Sequence, residues 1–427
     1  MSIIDLYELF IHHPKITTDS RECHKGSIFF ALKGERFNGN KYAAKALESG
    51  CAYAVIDEQE YYIDERTLLV EDALSTLQQL AHYHRKALGL PIIGITGTNG
   101  KTTTKELIAA VLSTKFNTTY TRGNLNNQIG VPLTLLSMNR EHEIAVVEMG
   151  ANHPGDIKEL VDLVHPNYGI ITNVGRAHLE GFGSFEGVIH TKGELYDYIK
   201  HSRGKIFIKH EDNELQSIAK GIEQITYGYN DESFASGHVV SSDPFLVFDW
   251  KQQGKIHTVE TKLIGDYNLD NLLAAVTVGR YFKIPAEKIS RAIAAYEPTN
   301  NRSQYKKSTY NDLIIDAYNA NPSSMKAALN NFISTSATPK AVILGDMREL
   351  GPTSDELHME VVEQIKRGRF DKVILCGEHF SKTGGEFETF ATPDELIKEL
   401  KENPIKGYNI LIKGSHSMGM ERLVELL

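Results

Sequence analysis

The stretch Ile93-Gly94-Ile95-Thr96-Gly97-Thr98-Asn99-Gly100-Lys101-Thr102-Thr103-Thr104 decides how the rest of the chain is read. Ahead of it, Pro91 to Ile95 is an apolar run of strand length. Behind it, Lys101 to Lys115 sets Leu107, Ile108, Val111 and Leu112 at helical spacing, so the pattern predicts strand, glycine-rich turn and helix. Gly97 and Gly100 permit a tight turn whose N–H groups converge on an anion, and the helix N-terminus adds unpaired donors and its dipole. In such a loop Lys101 reaches the β- and γ-phosphates of a nucleotide and the Thr102 hydroxyl ligates Mg²⁺. The loop is a variant, because the strict pattern places a glycine where this chain has Ile95. A plain strand-turn-helix with a solvated lysine is the competing reading. It leaves unexplained why glycine, lysine and hydroxyl fall in this order at a strand-to-helix junction.

Working outward, 427 residues make room for about three domains. The three cysteines, Cys23, Cys51 and Cys376, are scattered without metal-ligand spacing, which points to a reducing compartment. Met1 to Phe10 carries Asp5 and Glu8 and no basic n-region, so it does not read as a secretory signal, and no apolar run approaches the length of a membrane span. A net charge of −9 argues against nucleic-acid or anionic-membrane binding. The expectation is a cytoplasmic α/β protein, monomeric, with small-molecule partners.

Three segments follow, at 1–85, 86–300 and 301–427. In the first, strands are expected at Ser27 to Lys33, Ala52 to Ile56 and Thr67 to Val70, with helices at Lys41 to Leu47 and Leu74 to Ala87. Its polar stretches Thr18 to Arg21, which contains Ser20, and Lys33 to Gly39 read as solvated turns when taken alone. In the second, Thr121 to Pro132 holds Asn124, Asn126 and Asn127, amides suited to a phosphate or sugar and equally to a plain turn. The apolar strand Glu143 to Val147 delivers Glu148 to its carboxyl end, where a metal ligand or water-positioning acid belongs. Tyr168 to Thr172 delivers His178 as a candidate second metal position, and Lys192 lies on the helix beyond. His238 to Thr261 alternates like antiparallel hairpins, an insertion on the parallel core. Asn268 and Asn271, three apart, share a helix face that suits a nucleobase edge or a helix cap. In the third, four strands end at Asp316, Asp346, Gly377 and Lys413, with helices starting near Ser323, Ser354, Pro393 and Ser417. This predicts a doubly wound domain with three polar loops on one rim.

With these residues assembled, the chain resembles the Mur ligase family along nearly its whole length, and most of all its D-alanyl-D-alanine-adding branch. The family's ATP loop matches Gly97, Thr98, Asn99, Gly100, Lys101, Thr102 and Thr103. Its metal-binding Glu and His match Glu148 and His178, its carbamylated lysine matches Lys192, and its adenine-contacting asparagines match Asn268 and Asn271. Arg302, Asp316 and Asn319 match its C-terminal nucleotide contacts. The resemblance implies an N-terminal nucleotide-sugar domain, a central P-loop parallel-sheet domain and a C-terminal Rossmann-like domain that binds the acceptor. It further implies ATP and two Mg²⁺ ions as cofactors, with Lys101, Glu148, His178 and Lys192 in catalysis and Thr102, Glu148, His178 and carbamylated Lys192 on metal. Substrate contacts are expected from Ser20, Arg21, Thr121, Asn124, Asn126, Asn127, Lys413 and Ser415. The implied reaction joins D-alanyl-D-alanine to UDP-N-acetylmuramoyl-tripeptide through an acyl phosphate. A related amide ligase with another amino-acid or folate substrate, and an ATP-gated binding protein, are the alternatives. Two positions depart from the family: Tyr267 stands where many members have His, and His416 where many of this branch have Arg.

Overall fold

The computed structural model describes residues 1–299 and 301–427, so the expected boundary at Asn300 lies outside the described residues. Three large sheets divide the described residues. The first is four-stranded and parallel, in the order Ile16–Thr17, Ile28–Phe30, Tyr53–Ile56, Thr67–Leu69. Helix Ala73–Leu88 covers it, started by the Asp72 carboxylate on the Ser75 N–H at 2.6 Å and stopped by Gly89 at φ +65°. The buried face of this helix, Leu77, Leu80 and Ala81, joins a core shared with Leu135, Val147 and Ile171 of the next domain. His84 Nε2 meets the Met138 carbonyl at 2.9 Å across that seam.

The central sheet has nine strands. Seven neighbouring strands run parallel, with Ile92–Thr96 flanked by Ile144–Glu148 on one side and Tyr168–Ile171 on the other. All five residues of Ile92–Thr96 and of Ile144–Glu148 are buried, as a parallel strand covered on both faces requires. The expected hairpins are present at Ala235–Ser242, Phe245–Gln252 and Lys255–Ile264, and they extend the same sheet at its edge instead of standing apart from it.

The third sheet has six strands in the order Gln304–Lys307, Asp312–Asp316, Asn409–Lys413, Lys340–Gly345, Lys372–Cys376, Glu388–Phe390, all parallel except the first. The two edge strands go beyond the four that the sequence indicates. Three strand ends that carry polar loops, at Asp316, Lys413 and Gly345, are neighbours, so those loops share one rim. No α-helix starts near Ser417. That segment folds as two 3₁₀ turns, His416–Met418 and Met420–Glu425, broken by Gly419 at φ +62°. The strand expected at Ser27 to Lys33 ends at Phe30, and Lys33–Gly34 pairs with Phe37–Asn38 in a small hairpin where a loop was expected. The helix after the phosphate loop stops at Leu112. Among the described residues no helix is long and apolar enough to cross a membrane.

Candidate active site

Strand Ile92–Thr96 runs into the loop 97–100, and helix Lys101–Leu112 leaves it. The two loop glycines are required by geometry. Gly97 sits at φ +139° and Gly100 at φ +78°; a Cβ on the first would lie 2.1 Å from Thr172 Oγ1, and on the second 2.5 Å from Asn271 Oδ1. The neighbouring strand end staples the loop. Asn173 accepts from the Asn99 N–H at 3.0 Å through its side chain and from the Thr98 N–H at 3.0 Å through its carbonyl. The Lys101 ammonium folds back on its own loop, donating to the Gly97 carbonyl at 2.7 Å and the Thr98 carbonyl at 3.1 Å. Burial, with a smaller contribution from the Arg302 guanidinium and against the pull of Glu148, brings its pKa down to about 8.

Glu148 pairs in register with Ile95, so its carboxylate stands beside the loop. It is 1% exposed. Such a buried charge needs partners, and it has them: the Thr102 hydroxyl donates at 3.0 Å, the Asn126 amide donates at 2.8 Å, and the Lys105 ammonium stands 3.6 Å away. Thr121 supports the same residue from below, its hydroxyl accepting from the Glu148 N–H at 3.0 Å. Asn126 and Thr121 thus hold the acid, and Asn127 uses its side-chain oxygen on the N–H groups of Ile129 and Gly130. Asn124 is exposed.

Lys192 is buried, its ammonium 3.4 Å from the Ala151 carbonyl, and burial together with the Lys101 charge lowers its pKa to about 7. Asn268 and Asn271 are also buried and bond to each other at 2.8 Å, while Asn271 accepts from the Thr104 hydroxyl at 2.9 Å. Tyr267 donates to or accepts from Ser303 across 2.8 Å, tying the helix start to the segment that enters the third sheet.

The C-terminal rim faces this loop. A cavity of about 680 Å³ is lined from one side by Lys101, Thr103, Glu148 and Asn271 and from the other by Arg302, Asp316 and Asn319, with His178 between. Two side-chain pairs bridge the sides: Asn321 donates to Asn99 at 2.8 Å, and His178 Nδ1 meets the Glu349 carboxylate. The Arg302 guanidinium lies 3.8 Å above the Tyr318 ring, and its Nε is buried without a hydrogen-bond partner among the described residues. Asp316 receives the Lys413 ammonium at 2.5 Å, and Lys413 also donates to the Asn319 carbonyl at 3.0 Å. The Ser415 hydroxyl accepts from the Arg348 N–H at 2.9 Å. Ser20 and Arg21 do not line this cavity; the Arg21 guanidinium is exposed and paired with Asp19 at 2.6 Å.

Three family models match successive parts of the chain: the Mur ligase family catalytic domain at residues 12–85, the Mur ligase middle domain at 95–279, and the Mur ligase glutamate ligase domain at 301–416. A Bacillus subtilis protein named UDP-N-acetylmuramoyl-tripeptide–D-alanyl-D-alanine ligase is 36% identical, over 98% of this chain and 94% of its own. The chain belongs to the Mur ligase family. The Escherichia coli protein of the same name is 34% identical over 96% of this chain and 93% of its own. Among Mur ligase structures, MurF from Acinetobacter baumannii superposes with a TM-score of 0.86 at 31% identity, covering 96% of this chain and 92% of its own. MurF ligase from Thermotoga maritima in complex with ADP superposes with 0.85 at 25% identity, covering 97% of each.

Sequence reasoning passes over Lys105, although it lies four residues past Lys101 and so on the same helix face. Asn321 and Glu349 are read from sequence only as members of the polar rim loops at 316–325 and 345–351; nothing in the sequence signals their partners, which lie 222 and 171 residues away.

Proposed function

We propose that this Mur ligase is an ATP-dependent peptide ligase that adds D-alanyl-D-alanine to UDP-N-acetylmuramoyl-tripeptide, releasing ADP and phosphate. The observation that carries this is the single cavity in which a phosphate loop and a buried carboxylate meet the polar rim of a second α/β domain. The relatives named for this reaction, which the chain matches over nearly its whole length, support it.

In this reading segments 1–85, 86–300 and 301–427 hold the UDP-sugar, the ATP and the acceptor. The tripeptide carboxylate attacks the γ-phosphate of ATP, an acyl phosphate forms, the dipeptide amine attacks its carbonyl carbon, and phosphate leaves. The loop N–H groups and Lys101 stabilise charge on the transferred phosphoryl group, and Arg302 approaches it from the other rim. Lys101 leaves its loop carbonyls to do so. Thr102 and Glu148, hard oxygen donors 3.0 Å apart, fit Mg²⁺, with His178 on the same cavity as a second position. Bound Mg²⁺ supplies neutralisation of phosphate charge. No group of three or more His, Cys, Asp or Glu among the described residues forms a ready-made metal site, which agrees with an ion held jointly with substrate phosphates. Burial and the Lys101 charge lower the Lys192 pKa to about 7, so it offers far more free amine near neutral pH than an ordinary lysine; free amine is the form that takes up CO₂, which supports Lys192 as the carbamylated residue, an anion in place of a cation. Asn268 and Asn271 fix the loop beneath the adenine site, and Ser20 and Arg21 serve the UDP end.

Phosphate release measured with ATP, Mg²⁺ and UDP-N-acetylmuramoyl-tripeptide, with and without D-alanyl-D-alanine, tests this. Release that depends on the dipeptide is expected, with a product heavier by the dipeptide less water. Turnover with a single amino acid or a folate instead moves the chain to another branch. Release indifferent to every acceptor favours an ATP-gated switch.

A further inference from the structure

A second cavity of about 300 Å³ adjoins the nucleotide cavity and shares His178, Tyr318 and Asn319 with it. Beyond these shared residues its lining includes Arg348, Glu349, Ser415, His416 and Ser417. Resting on the ligase reading above, we propose that Arg348 is the specificity-determining residue that binds the terminal carboxylate of the dipeptide acceptor. A zwitterionic dipeptide must present its amine to the acyl phosphate, which forms on the nucleotide side of the shared wall. Its carboxylate then points to the far end, where a cation is needed.

Four candidate cations stand on this rim, and their contacts separate them. Arg302 lies over the Tyr318 ring and lines the nucleotide cavity, not the smaller one. Lys413 is 1% exposed and already holds Asp316 at 2.5 Å and the Asn319 carbonyl at 3.0 Å, so its ammonium is committed within the fold. The His416 ring is stacked on Tyr318 at 5.1 Å between centroids and 26° between planes, which makes it a wall of the cavity. Arg348 alone combines a fixed backbone with a free fork. Its N–H is held by Ser415 Oγ at 2.9 Å, while among the described residues its guanidinium contacts the Met418 sulfur at 3.4 Å and forms no ion pair. A planar fork of donors matches a carboxylate in two parallel hydrogen bonds, as an ammonium or imidazole does not. The next residue, Glu349, carries the opposite charge and points to His178 at the shared wall. The cavity is therefore polar in the sense of the ligand, negative where the amine arrives and positive where the carboxylate ends.

The test compares D-alanyl-D-alanine with D-alanyl-D-alaninamide, which lacks the carboxylate charge, as acceptors for the wild-type protein and for Arg348→Ala, Arg348→Lys and His416→Gln. The wild type is expected to show a KM about 10- to 100-fold lower for the acid than for the amide, the size of a charge-assisted pair. Arg348→Ala raises the KM of the acid to that of the amide and leaves the amide's KM unchanged; Arg348→Lys recovers part of the preference. An acid-to-amide ratio that survives in Arg348→Ala overturns the assignment, as does a ratio lost in His416→Gln. Unchanged KM for ATP in Arg348→Ala shows that the variant is folded. If the wild type uses neither dipeptide, the ligase reading itself fails, a result distinct from a wrong carboxylate partner.

Discussion

The two rims of the cleft are both carboxyl edges of parallel sheets, yet they differ in how far their charges are met inside the fold. On the central rim the two ionic groups beside the phosphate loop are so met: Glu148 by Thr102, Asn126 and Lys105, and Lys101 by its own loop carbonyls. On the C-terminal rim Lys413 and Asp316 are paired in the same manner, but Arg348 and Glu349 are exposed, and the Glu349 carboxylate meets His178 across the cleft. The difference teaches where the chemistry is prepared. Groups that must face a polyanionic nucleotide are preorganised in a buried setting, so little rearrangement accompanies charge transfer. Groups that must admit and release a small zwitterion stay open to water.

The largest effect that sharpens this contrast is expected from Lys101→Ala. Dipeptide-dependent phosphate release should fall by at least about 10²- to 10³-fold, as for loss of one preorganised donor, while the unfolding midpoint changes little, because the desolvation that lowers the Lys101 pKa offsets its two hydrogen bonds to the loop carbonyls. Lys105→Met comes next. It leaves the buried Glu148 carboxylate short of its counter-charge and should lower unfolding free energy by about 3 kcal/mol. In a double-mutant cycle with Glu148→Gln the two losses should not add; additivity would break the claim that the central rim is pre-paired.

Lys192 gives a pH signature. Its folded pKa of about 7 lies below the usual lysine value of 10.5, so between those pH values the unfolded chain binds a proton that the folded chain lacks. Stability therefore rises with pH across that window, by up to about 1.4 kcal/mol per pH unit. Denaturant unfolding in CO₂-free buffer at several pH values should show the rise in the wild type, and Lys192→Met should remove the part that begins near pH 7, leaving the part due to Lys101, whose pKa is lowered to about 8. The smallest effect belongs to the open rim: Arg348→Ala should change stability by no more than about 0.5 kcal/mol, whatever it does to acceptor binding. A large loss would mean that the C-terminal rim is as built-in as the central one.

The phosphate loop was legible because its chemistry lies within a dozen consecutive residues. Glu148 and His178 were legible because a strand end beside that loop is a place, once the parallel order is assumed. What escaped is non-local. Lys413 meets Asp316 97 residues away, and no periodicity announces such a pair. The two edge strands of the third sheet escaped for another reason. Gln304–Lys307 is polar and only partly covered, as an exposed edge allows, so it lacks the apolar run that marks the buried strands beside it. The asparagines at 126, 268 and 271 were readable as ligand-facing amides, whereas their bonds here go first to Glu148 and to one another, a choice made by burial that residue type alone does not reveal.

The most direct test of a cleft that activates a carboxylate on one rim and delivers an amine from the other is oxygen transfer. UDP-N-acetylmuramoyl-tripeptide labelled with ¹⁸O in its terminal carboxylate is turned over with ATP and D-alanyl-D-alanine, and the phosphate is analysed by mass spectrometry. The account predicts one ¹⁸O in each phosphate released, carried from the carboxylate through the acyl phosphate. Phosphate free of label, formed at the same rate as the peptide product, would contradict it.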